Sequence, residues 1–312
     1  MAAGGRVLVI RGGAVGDFIL TLPALRLLRE TLPDNHVEVL GYPGITALAV
    51  AAGVADSTRA LEHGGMARLF ARGGDIAPDL AAYLAGFNLV LSYLYDPDGI
   101  FRDNLARAGV KTLIECPHQV LPGQGHAALQ LARPLERLAM FLEDGDWRRP
   151  FFPRRAGAGE VPSVVLHPGS GSVRKNWPLD RWLEVAARLE ARGCRVIHVT
   201  GEVEEARGQL AGIPADAEVW HQRPLPELAE RFGGYTAFLG HDSGISHLAA
   251  ACGLPCLLLF GPTDPQIWAP PQPGVRVLRA QTGNLTELSA AEVAAQAVCW
   301  LEEIASNNNG IL

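Results

Sequence analysis

LGHDSGISHLAAACGLPCLLLFGPTDP, residues 239–265, carries the clearest fold signal in the chain. A short apolar run at 236–239 leads into it, a helical pattern covers 244–252, and the apolar run CLLLF follows at 256–260. A strand, a helix and a strand in this order are typical of a crossover unit in a parallel sheet. The stretch therefore predicts an α/β fold.

The same alternation continues on both sides of this stretch. Further strands are predicted at 6–11, 37–40, 88–94, 163–167 and 195–200, and helical patterns lie between them, as at 24–30, 102–108 and 179–192. A chain of 312 residues exceeds what one core usually supports. In segment 144–162, prolines, glycines and arginines replace the apolar periodicity, as in a linker. We therefore predict two doubly wound domains, 1–150 and 160–288, followed by a terminal helix over 289–304.

The terminal helix has a well-marked start and one apolar face. Ser289 and Glu292 match a capping box, and Val293, Ala297 and Trp300 repeat at helical spacing. This face must pack against another element.

Composition excludes several kinds of partner and environment. The formal net charge is −6 and the sequence pI is near 5.9, so the broad basic surface that nucleic-acid binding requires is missing. The five cysteines are scattered without C-x-x-C pairs, which is typical of reduced thiols in a cytosolic protein. No apolar stretch reaches the length of a membrane span. We expect a cytoplasmic protein without a nucleic-acid partner.

HPGSGSVRKNWPLDRW, residues 167–182, is a candidate phosphate loop. Ser170, Gly171 and Ser172 allow backbone N–H groups to approach an anion closely, and Lys175 adds a positive charge. A flexible loop that ends at a helix start is an equally good interpretation of the same residues.

Residues 242–247 form a second candidate anion site. Asp242 or Ser243 can cap the helix that Gly244 begins, so that unpaired N–H groups and the positive end of the helix dipole face a diphosphate. Ser243 and His247 are four residues apart and share one helix face. By spacing alone, a capped, partly buried structural histidine is the better explanation of His247.

Glu202 follows a predicted strand in the same half of the chain. Its carboxylate is placed where it could accept hydrogen bonds from ribose hydroxyls at the carboxyl edge of the sheet. The alternative is a solvated acid in the first turn of a helix.

VIRGGAVGDFILTLPAL, residues 9–25, places Asp17 where a nucleotide-binding loop would have glycine or lysine. Neither G-x-G-x-x-G nor G-K-[ST] is present, so this loop is a poor nucleotide site. Asp17 is either a general base for an alcohol or an ordinary N-cap. The helix starts at Asp17 and kinks at Pro23, or starts only at Pro23.

Two D-x-D matches have the spacing of sites that hold a divalent metal with a nucleotide diphosphate. Asp96-Pro-Asp98 and Asp144-Gly-Asp146 enclose turn residues and follow no phosphate loop. We expect no metal.

Three motifs together resemble glycosyltransferase family 9, the ADP-heptose:lipopolysaccharide heptosyltransferases. They are V-I-R-x-x-x-x-G-D-x-I-L-T-x-P-A-L near the start, H-P-G-S with K-x-W-P in mid-chain, and D-S-G-I-S-H-L-A-A-A with F-G-P-T-D-P. The resemblance implies a GT-B architecture, in which two Rossmann-like domains face a central cleft and the terminal helix crosses back to the first domain. It implies an inverting, metal-independent transfer from a nucleotide-diphosphate sugar, usually ADP-heptose, without a further cofactor.

The resemblance also assigns roles to matching residues. Asp17 becomes the general base, and Lys175 stabilises the charge on the leaving group. The remaining donor-site residues would be Ser170, Gly171, Ser172, Glu202, Asp242, Ser243, Gly244 and His247. A nucleotide-sugar epimerase of similar fold and a non-catalytic nucleotide-sugar-binding protein are the alternatives.

The first domain would bind the acceptor, although the family match weakens over about residues 42–145. Family members are expected to use basic residues there against acidic sugars, and the available ones are Arg59, Arg68, Arg72, Arg102, Arg107 and Lys111. A lipid-linked or oligosaccharide acceptor of lipopolysaccharide-core type implies work at the inner membrane face. Peripheral membrane contact through Arg148, Arg149, Arg154 and Arg155 is one interpretation, and a solvated linker explains these arginines equally well.

Overall fold

The structure is a computed structural model that describes residues 4–62, 65–154 and 161–309. The chain divides into two compact units, Met1–Trp147 and Arg148–Leu312. Each unit is built on one parallel sheet with connecting helices, so the predicted α/β class is confirmed.

In the part of the chain that the structure describes, the first unit has a five-stranded sheet. Its strands are β1 (Arg6–Arg11), β2 (His36–Gly41), β3 (Ser57–Ala60), β4 (Leu89–Ser92) and β5 (Leu113–Glu115). The order is β3-β2-β1-β4-β5, with every neighbouring pair parallel. β1 is buried from Val7 onward, because a central parallel strand is covered by helices on both faces.

The first unit begins its helices with two short, separate ones, α1 (Val15–Ile19) and α2 (Leu22–Thr31), close together in the chain. They are followed by α3 (Pro43–Ala51), α4 (Pro78–Ala85), α5 (Ile100–Arg107) and α6 (Ala127–Ala132), with 3-10 turns at Met66–Phe70, Arg133–Leu138 and Asp146–Arg148. Pro23 lies in the first turn of α2, where its missing N–H breaks no helical hydrogen bond. Two separate helices therefore replace the kinked helix or late start that the sequence left open.

The second unit has a six-stranded parallel sheet in its described ranges. Its strands are β6 (Ser163–Leu166), β7 (Arg195–Thr200), β8 (Glu218–His221), β9 (Ala237–His241), β10 (Cys256–Phe260) and β11 (Val275–Arg279). Its helices are α7 (Leu179–Glu190), α8 (Glu202–Ala206), α9 (Leu225–Phe232), α10 (Gly244–Ala251), α11 (Pro265–Trp268) and α12 (Ala290–Asn309), with 3-10 turns at Val173–Lys175, Gln209–Gly212 and Leu285–Glu287. The order is β11-β10-β9-β6-β7-β8.

The strand order reverses beside the first strand of each unit. In the first unit the chain adds β2 and β3 on one side of β1 and then returns to add β4 on the other side. In the second unit it adds β7 and β8 on one side of β6 and then returns to add β9 on the other side. At such a reversal, the loops leave the carboxyl ends in opposite directions and open a crevice, which is the usual ligand position in open α/β sheets. Asp17 follows β1, whereas Lys175 and Asp242 follow β6 and β9.

The terminal helix α12 packs within its own unit. Val293, Ala297 and Trp300 belong to the buried cluster that also contains Trp177 and Trp182 of the second unit. α12 contacts α7, whose apolar side supplies Trp182. Residues of α7 and its neighbours therefore bury this face within the second unit. The return of 289–304 to the first domain, which the family resemblance implies, stays a prediction.

Candidate active site

Two loops meet at the strand-order reversal of the second unit. One loop runs from the end of β6 to the start of α7, and the other joins β9 to α10. His167 N donates to Leu239 O over 2.9 Å, so the two loops start side by side. Most of the predicted donor-site residues lie on these two loops.

The loop after β6 is held in shape by its own polar groups. The Ser170 hydroxyl is buried, 2.8 Å from Ser172 O and 2.6 Å from the Asn176 side-chain oxygen. Arg207 donates to Ser170 O over 2.8 Å and to Gly171 O over 3.3 Å. The Ser170 side chain is thus engaged inside the loop, while Gly171 is exposed and Ser172 half-buried.

An ion pair joins the two loops. Lys175 Nζ donates to Asp242 Oδ2 over 2.8 Å, and the Thr263 hydroxyl donates to the same oxygen over 2.7 Å. Burial by itself raises the pKa of Asp242, but the nearby His247 imidazole and the charge and hydrogen bond of Lys175 outweigh burial and hold that pKa well below its ordinary value. The carboxylate is charged at neutral pH and keeps Lys175 beside the start of α10.

The start of α10 offers unpaired backbone donors. Ser243 is the N-cap, as predicted, and its hydroxyl accepts from Ser246 N over 3.2 Å. Across the described ranges, no hydrogen bond from the N–H groups of Gly244 or Ile245 is formed. Free N–H groups at the positive end of a helix dipole form an anion site.

His247 lies beneath this helix start. It is buried, and its Nε2 lies 3.9 Å from Asp242 Oδ1, which is longer than a hydrogen bond. Its Nδ1 finds no partner among the residues that the structure describes. His247 is therefore a buried histidine whose Nδ1 has no hydrogen-bond partner among the described residues.

His241 ties the two loops together, and the sequence analysis missed it. Its Nε2 accepts from Trp177 N over 2.7 Å and from Trp182 Nε1 over 3.0 Å. An atom that accepts twice carries no proton, so His241 is neutral; burial first, then His167, lowers its pKa to about 3. Through Trp177, His241 fixes the chain two residues after Lys175.

Glu202 begins α8 and is exposed, and its carboxylate is not engaged by any described residue. The nearby Glu204 is instead buried, and its Oε2 accepts from Gly201 N over 2.8 Å. The two acids thus differ: Glu204 holds the start of α8, and Glu202 is free to meet a ligand.

Asp17 is the third residue of α1 in the first unit. The N-cap is Ala14, which makes no side-chain capping bond, so the N-cap interpretation of Asp17 is wrong. Asp17 O accepts from the Thr21 hydroxyl over 2.8 Å and from Arg11 Nη2 over 3.3 Å. Both donors are buried, so two side chains fix the backbone of Asp17 where α1 gives way to α2.

The Asp17 carboxylate itself is half-buried and without a hydrogen-bond partner in the described part of the chain. Arg11 supplies a nearby positive charge, and its buried Nε is also unpaired among the described residues. The arrangement combines a fixed backbone with a carboxylate that is free to accept a proton.

Several basic residues considered for acidic sugars are engaged with groups of the first unit. Arg59 Nε donates to Glu38 over 3.2 Å, Arg102 Nε donates to Asp103 over 3.1 Å, and Arg68 lies 3.6 Å from Asp75. Arg107 donates to the carbonyl of Gly74 and to the side chain of Asn104. These four arginines are thus paired with groups of their own unit, so little of their charge is free for an acceptor.

Asp96, from the first D-x-D match, is a helix-capping residue. Its two carboxylate oxygens accept from Phe101 N over 3.0 Å and from Arg102 N over 2.9 Å at the start of α5. In the second match, Gly145 has φ of 96°, a turn conformation. The interpretation of both segments as turns is confirmed.

Comparisons with known proteins agree with this description. The family model of glycosyltransferase family 9 (heptosyltransferase) matches residues 138–297, slightly more than half of the chain. Lipopolysaccharide heptosyltransferase 1 of Pseudomonas aeruginosa is 37% identical over 107 residues, which are 34% of this chain and 30% of that protein. The Escherichia coli K12 protein of the same name is 33% identical over 138 residues, 44% of this chain and 43% of that protein. The alignments thus span less than half of these relatives.

Solved structures match over nearly the whole chain. A glycosyl transferase family 9 structure from Veillonella parvula covers 97% of this chain and 99% of its own, with 18% identity and a TM-score of 0.77. The match to the structure named E. coli heptosyltransferase WaaC with ADP covers 95% of this chain and 99% of that one, with 20% identity and a TM-score of 0.70. These likenesses confirm the predicted GT-B fold class of two Rossmann-like units. Since the family match exceeds half of the chain and includes the loops of Lys175 and Asp242, the chain belongs to glycosyltransferase family 9.

Proposed function

We propose that this chain is an inverting, metal-independent glycosyltransferase that moves a heptosyl group from ADP-heptose to a hydroxyl of a lipopolysaccharide-core acceptor. Family membership supports the reaction class. The names of its relatives, lipopolysaccharide heptosyltransferases, and of solved neighbours bound to ADP or ADP-2-deoxy-2-fluoro heptose support the donor and the acceptor.

The second unit binds the donor in this proposal. The free N–H groups of Gly244 and Ile245 meet the diphosphate at the start of α10. Lys175 has three N–H donors and gives one to Asp242, so two remain for phosphate oxygens. Ser172 and Gly171 line the outer side of the same loop, and the free carboxylate of Glu202 accepts from the ribose hydroxyls.

Asp17 acts as the general base, and one observation carries this proposal. Its carboxylate has no hydrogen-bond partner in the described part of the chain, although Thr21 and Arg11 hold its backbone carbonyl in place. A structural acid at a helix start would use its oxygens to cap N–H groups, as Asp96 does.

The chemical step balances with these groups. Asp17 takes the proton from the acceptor hydroxyl as its oxygen forms a bond to the anomeric carbon. The bond from that carbon to the diphosphate oxygen breaks, and its electron pair leaves with ADP. Attack from the side opposite the leaving group inverts the anomeric configuration. Lys175 and the N–H groups at α10 stabilise the negative charge that grows on the diphosphate, which replaces the role of a metal.

A lipid-linked acceptor would place the enzyme at the cytoplasmic face of the inner membrane. No helix within the described ranges is long and apolar enough to cross a membrane. Of the arginines considered for peripheral contact, Arg154 donates to Tyr235 O over 3.0 Å, and Arg155 lies outside the described residues. Peripheral membrane contact through the remaining linker arginines stays a proposal.

Asp17→Asn tests the proposal because it removes the base without changing the shape of the side chain. We expect kcat for heptosyl transfer to fall by about 10²–10⁴-fold, the usual contribution of a general base. The affinity for ADP, measured by calorimetry, should stay within about twofold, because the donor loops belong to the other unit.

Asp79→Asn is the matched control, since Asp79 also lies in the first turn of a helix of the first unit. It should leave turnover unchanged. Equal, small effects of both variants would mean that Asp17 only serves the helix dipole, and a wild-type protein that binds ADP-heptose but transfers nothing would contradict the proposal as a whole.

A further inference from the structure

A cavity of about 160 Å³ opens at the carboxyl ends of β4 and β5 in the first unit. Since β4 is the neighbour of β1, the cavity lies one strand away from the strand-order reversal of this sheet, on the sheet edge where α/β folds usually bind ligands. Pockets that enclose drug-sized molecules measure about 300–1,000 Å³, so this one suits a single sugar ring rather than a chain of sugars.

The cavity adjoins the loop that carries Asp17. Leu94 lines the cavity, and its methyl group lies 3.6 Å from the position that a Cβ on Gly12 would take. Gly12 begins the turn from β1 into α1, five residues before Asp17. A ring held in the cavity would thus lie near the start of the loop that leads to the proposed base.

Two exposed rings form one side of the cavity. Tyr95 is 65% exposed, and the centres of the Tyr95 and His118 rings lie 4.5 Å apart. Tyrosine places a rigid apolar surface and a hydroxyl in one side chain, at a small entropic cost. The negative face of an aromatic ring attracts the weakly positive C–H groups on the face of a pyranose.

The charges around the cavity do not favour an anion. Asp96 and Glu115 line it, together with Arg102. The guanidinium of Arg102 is already paired with Asp103, and the Glu115 side chain is exposed. Acids outnumber the single arginine, so a carboxylate or phosphate on the ligand would meet like charge.

We propose that this cavity binds one uncharged pyranose ring of the acceptor, with the ring stacked against Tyr95 and its hydroxyls donating to Glu115. The inference rests on the proposed function, because it assigns the acceptor part of that site. It also gives this chain a preference different from the one expected of the family, in which basic residues face acidic sugars.

A pair of probes that differ only at C6 tests the charge preference on the full chain. Methyl β-D-glucopyranoside is neutral, and methyl β-D-glucuronoside carries a carboxylate. In titrations followed by ligand-observed NMR, we expect the neutral glycoside to bind about fivefold more tightly than the glucuronoside, and Glu115→Gln to narrow this difference, as expected for one exposed charge.

Tyr95→Ala tests the stacking surface. It should weaken binding of the neutral glycoside by about fivefold, the size of one aromatic contact. Phe141→Ala is the matched control, because Phe141 is 62% exposed in the same unit and does not line the cavity. It should leave the affinity unchanged, and thermal midpoints of both variants should equal that of the wild type.

The proposal is overturned by a wild-type protein that binds neither glycoside or prefers the glucuronoside, and by unchanged binding in Tyr95→Ala. ADP titration of the wild-type protein is the separate check on the proposed function. Glycoside binding that depends on Tyr95 in a protein without ADP binding would refute the transferase and leave the cavity assignment standing.

Discussion

Among single residues, Gly169 shows how closely the loop after β6, which carries Lys175, is packed. A Cβ on Gly169 would lie 1.9 Å from Glu204 Oε1 and 2.7 Å from Glu204 Cγ. Glu204 is buried and holds Gly201 N, so it has no room to move without breaking the start of α8. The absence of a side chain at 169 is therefore a steric requirement.

We expect Gly169→Ala to lower the free energy of unfolding of the second unit by about 1–3 kcal/mol, as overpacking of a tight site does. Urea unfolding followed by tryptophan fluorescence measures this, because five of the six tryptophans belong to that unit. Gly171→Ala is the control in the same loop: nothing lies within 4 Å of a Cβ there, so stability should change by less than about 0.5 kcal/mol. Equal effects of the two variants would contradict the packing argument.

The charged residues of the site could be predicted from the sequence, whereas the residues that hold them in place could not. Lys175, Asp242 and Ser243 carry recognisable chemistry at recognisable spacing. His241 and Thr263 act only because strands β9 and β10 end beside each other, and sequence spacing does not reveal that. The sequence offers only their positions as a signal. His241 lies next to Asp242, and Thr263 lies in the turn after CLLLF.

Among helices, α12 carries the clearest stability prediction. Trp300 on α12 is 4% exposed and belongs to the core cluster of the second unit. Trp300→Ala should lower the free energy of unfolding of that unit by about 3–5 kcal/mol, the usual result of deleting a large buried ring. Hydrogen exchange should show lost protection in α7, which α12 contacts.

Cys299→Ser on the same helix is the control, since Cys299 is exposed and its replacement should cost less than about 0.5 kcal/mol. Lost protection in helices of the first unit, with α7 unchanged, would favour the crossing of α12 to the first domain that the family resemblance implied.

Whether a strand could be predicted from the sequence depended on its place in the sheet. All seven predicted strands exist in the described ranges, and the four it missed are β3, β5, β8 and β11, the outer strands of the two sheets. Central parallel strands are buried on both faces and appear as unbroken apolar runs. Outer strands such as β11, VRVLR, keep polar side chains toward solvent and lose that signal.

For the whole molecule, buried histidines predict a dependence of stability on pH. Burial is the largest cause that lowers the pKa of His167, His198 and His241, the last to about 3. In the unfolded chain a histidine has a pKa of about 6.5. Below that pH the unfolded state takes up protons that the folded state refuses, so stability is full above pH 6.5 and is lost as the pH falls.

We expect the free energy of unfolding of the second unit to fall by up to about 1.4 kcal/mol per pH unit for each of these histidines between about pH 6 and 4. Unfolding followed by tryptophan fluorescence at a series of pH values measures the slope. His198→Asn should reduce this slope, because the variant removes one buried imidazole, whose Nδ1 has no hydrogen-bond partner among the described residues. A flat or rising stability curve over this range would refute the assignment of neutral, buried histidines.

The second half of the chain carries more recognisable sequence motifs than the first half, so its site was easier to predict. The family match at 138–297 lies almost entirely in the second unit, whose loops share short motifs with relatives. The first unit offered one strong signal, the turn at Asp17, and its free carboxylate could be seen only after folding. The cavity of this unit is formed at the ends of β4 and β5, whose loops match no recognisable sequence motif.

The pairing of Lys175 with Asp242 has a consequence for the empty enzyme. A lysine without a counter-ion, placed beside free N–H groups, would attract polyphosphates and nucleic acids in general. Here a built-in counter-ion, itself anchored by Thr263, neutralises that lysine before any substrate arrives. A chance polyanion must compete with an acid of the protein itself, whereas the nucleotide sugar proposed as the donor would bring additional contacts and could share the lysine.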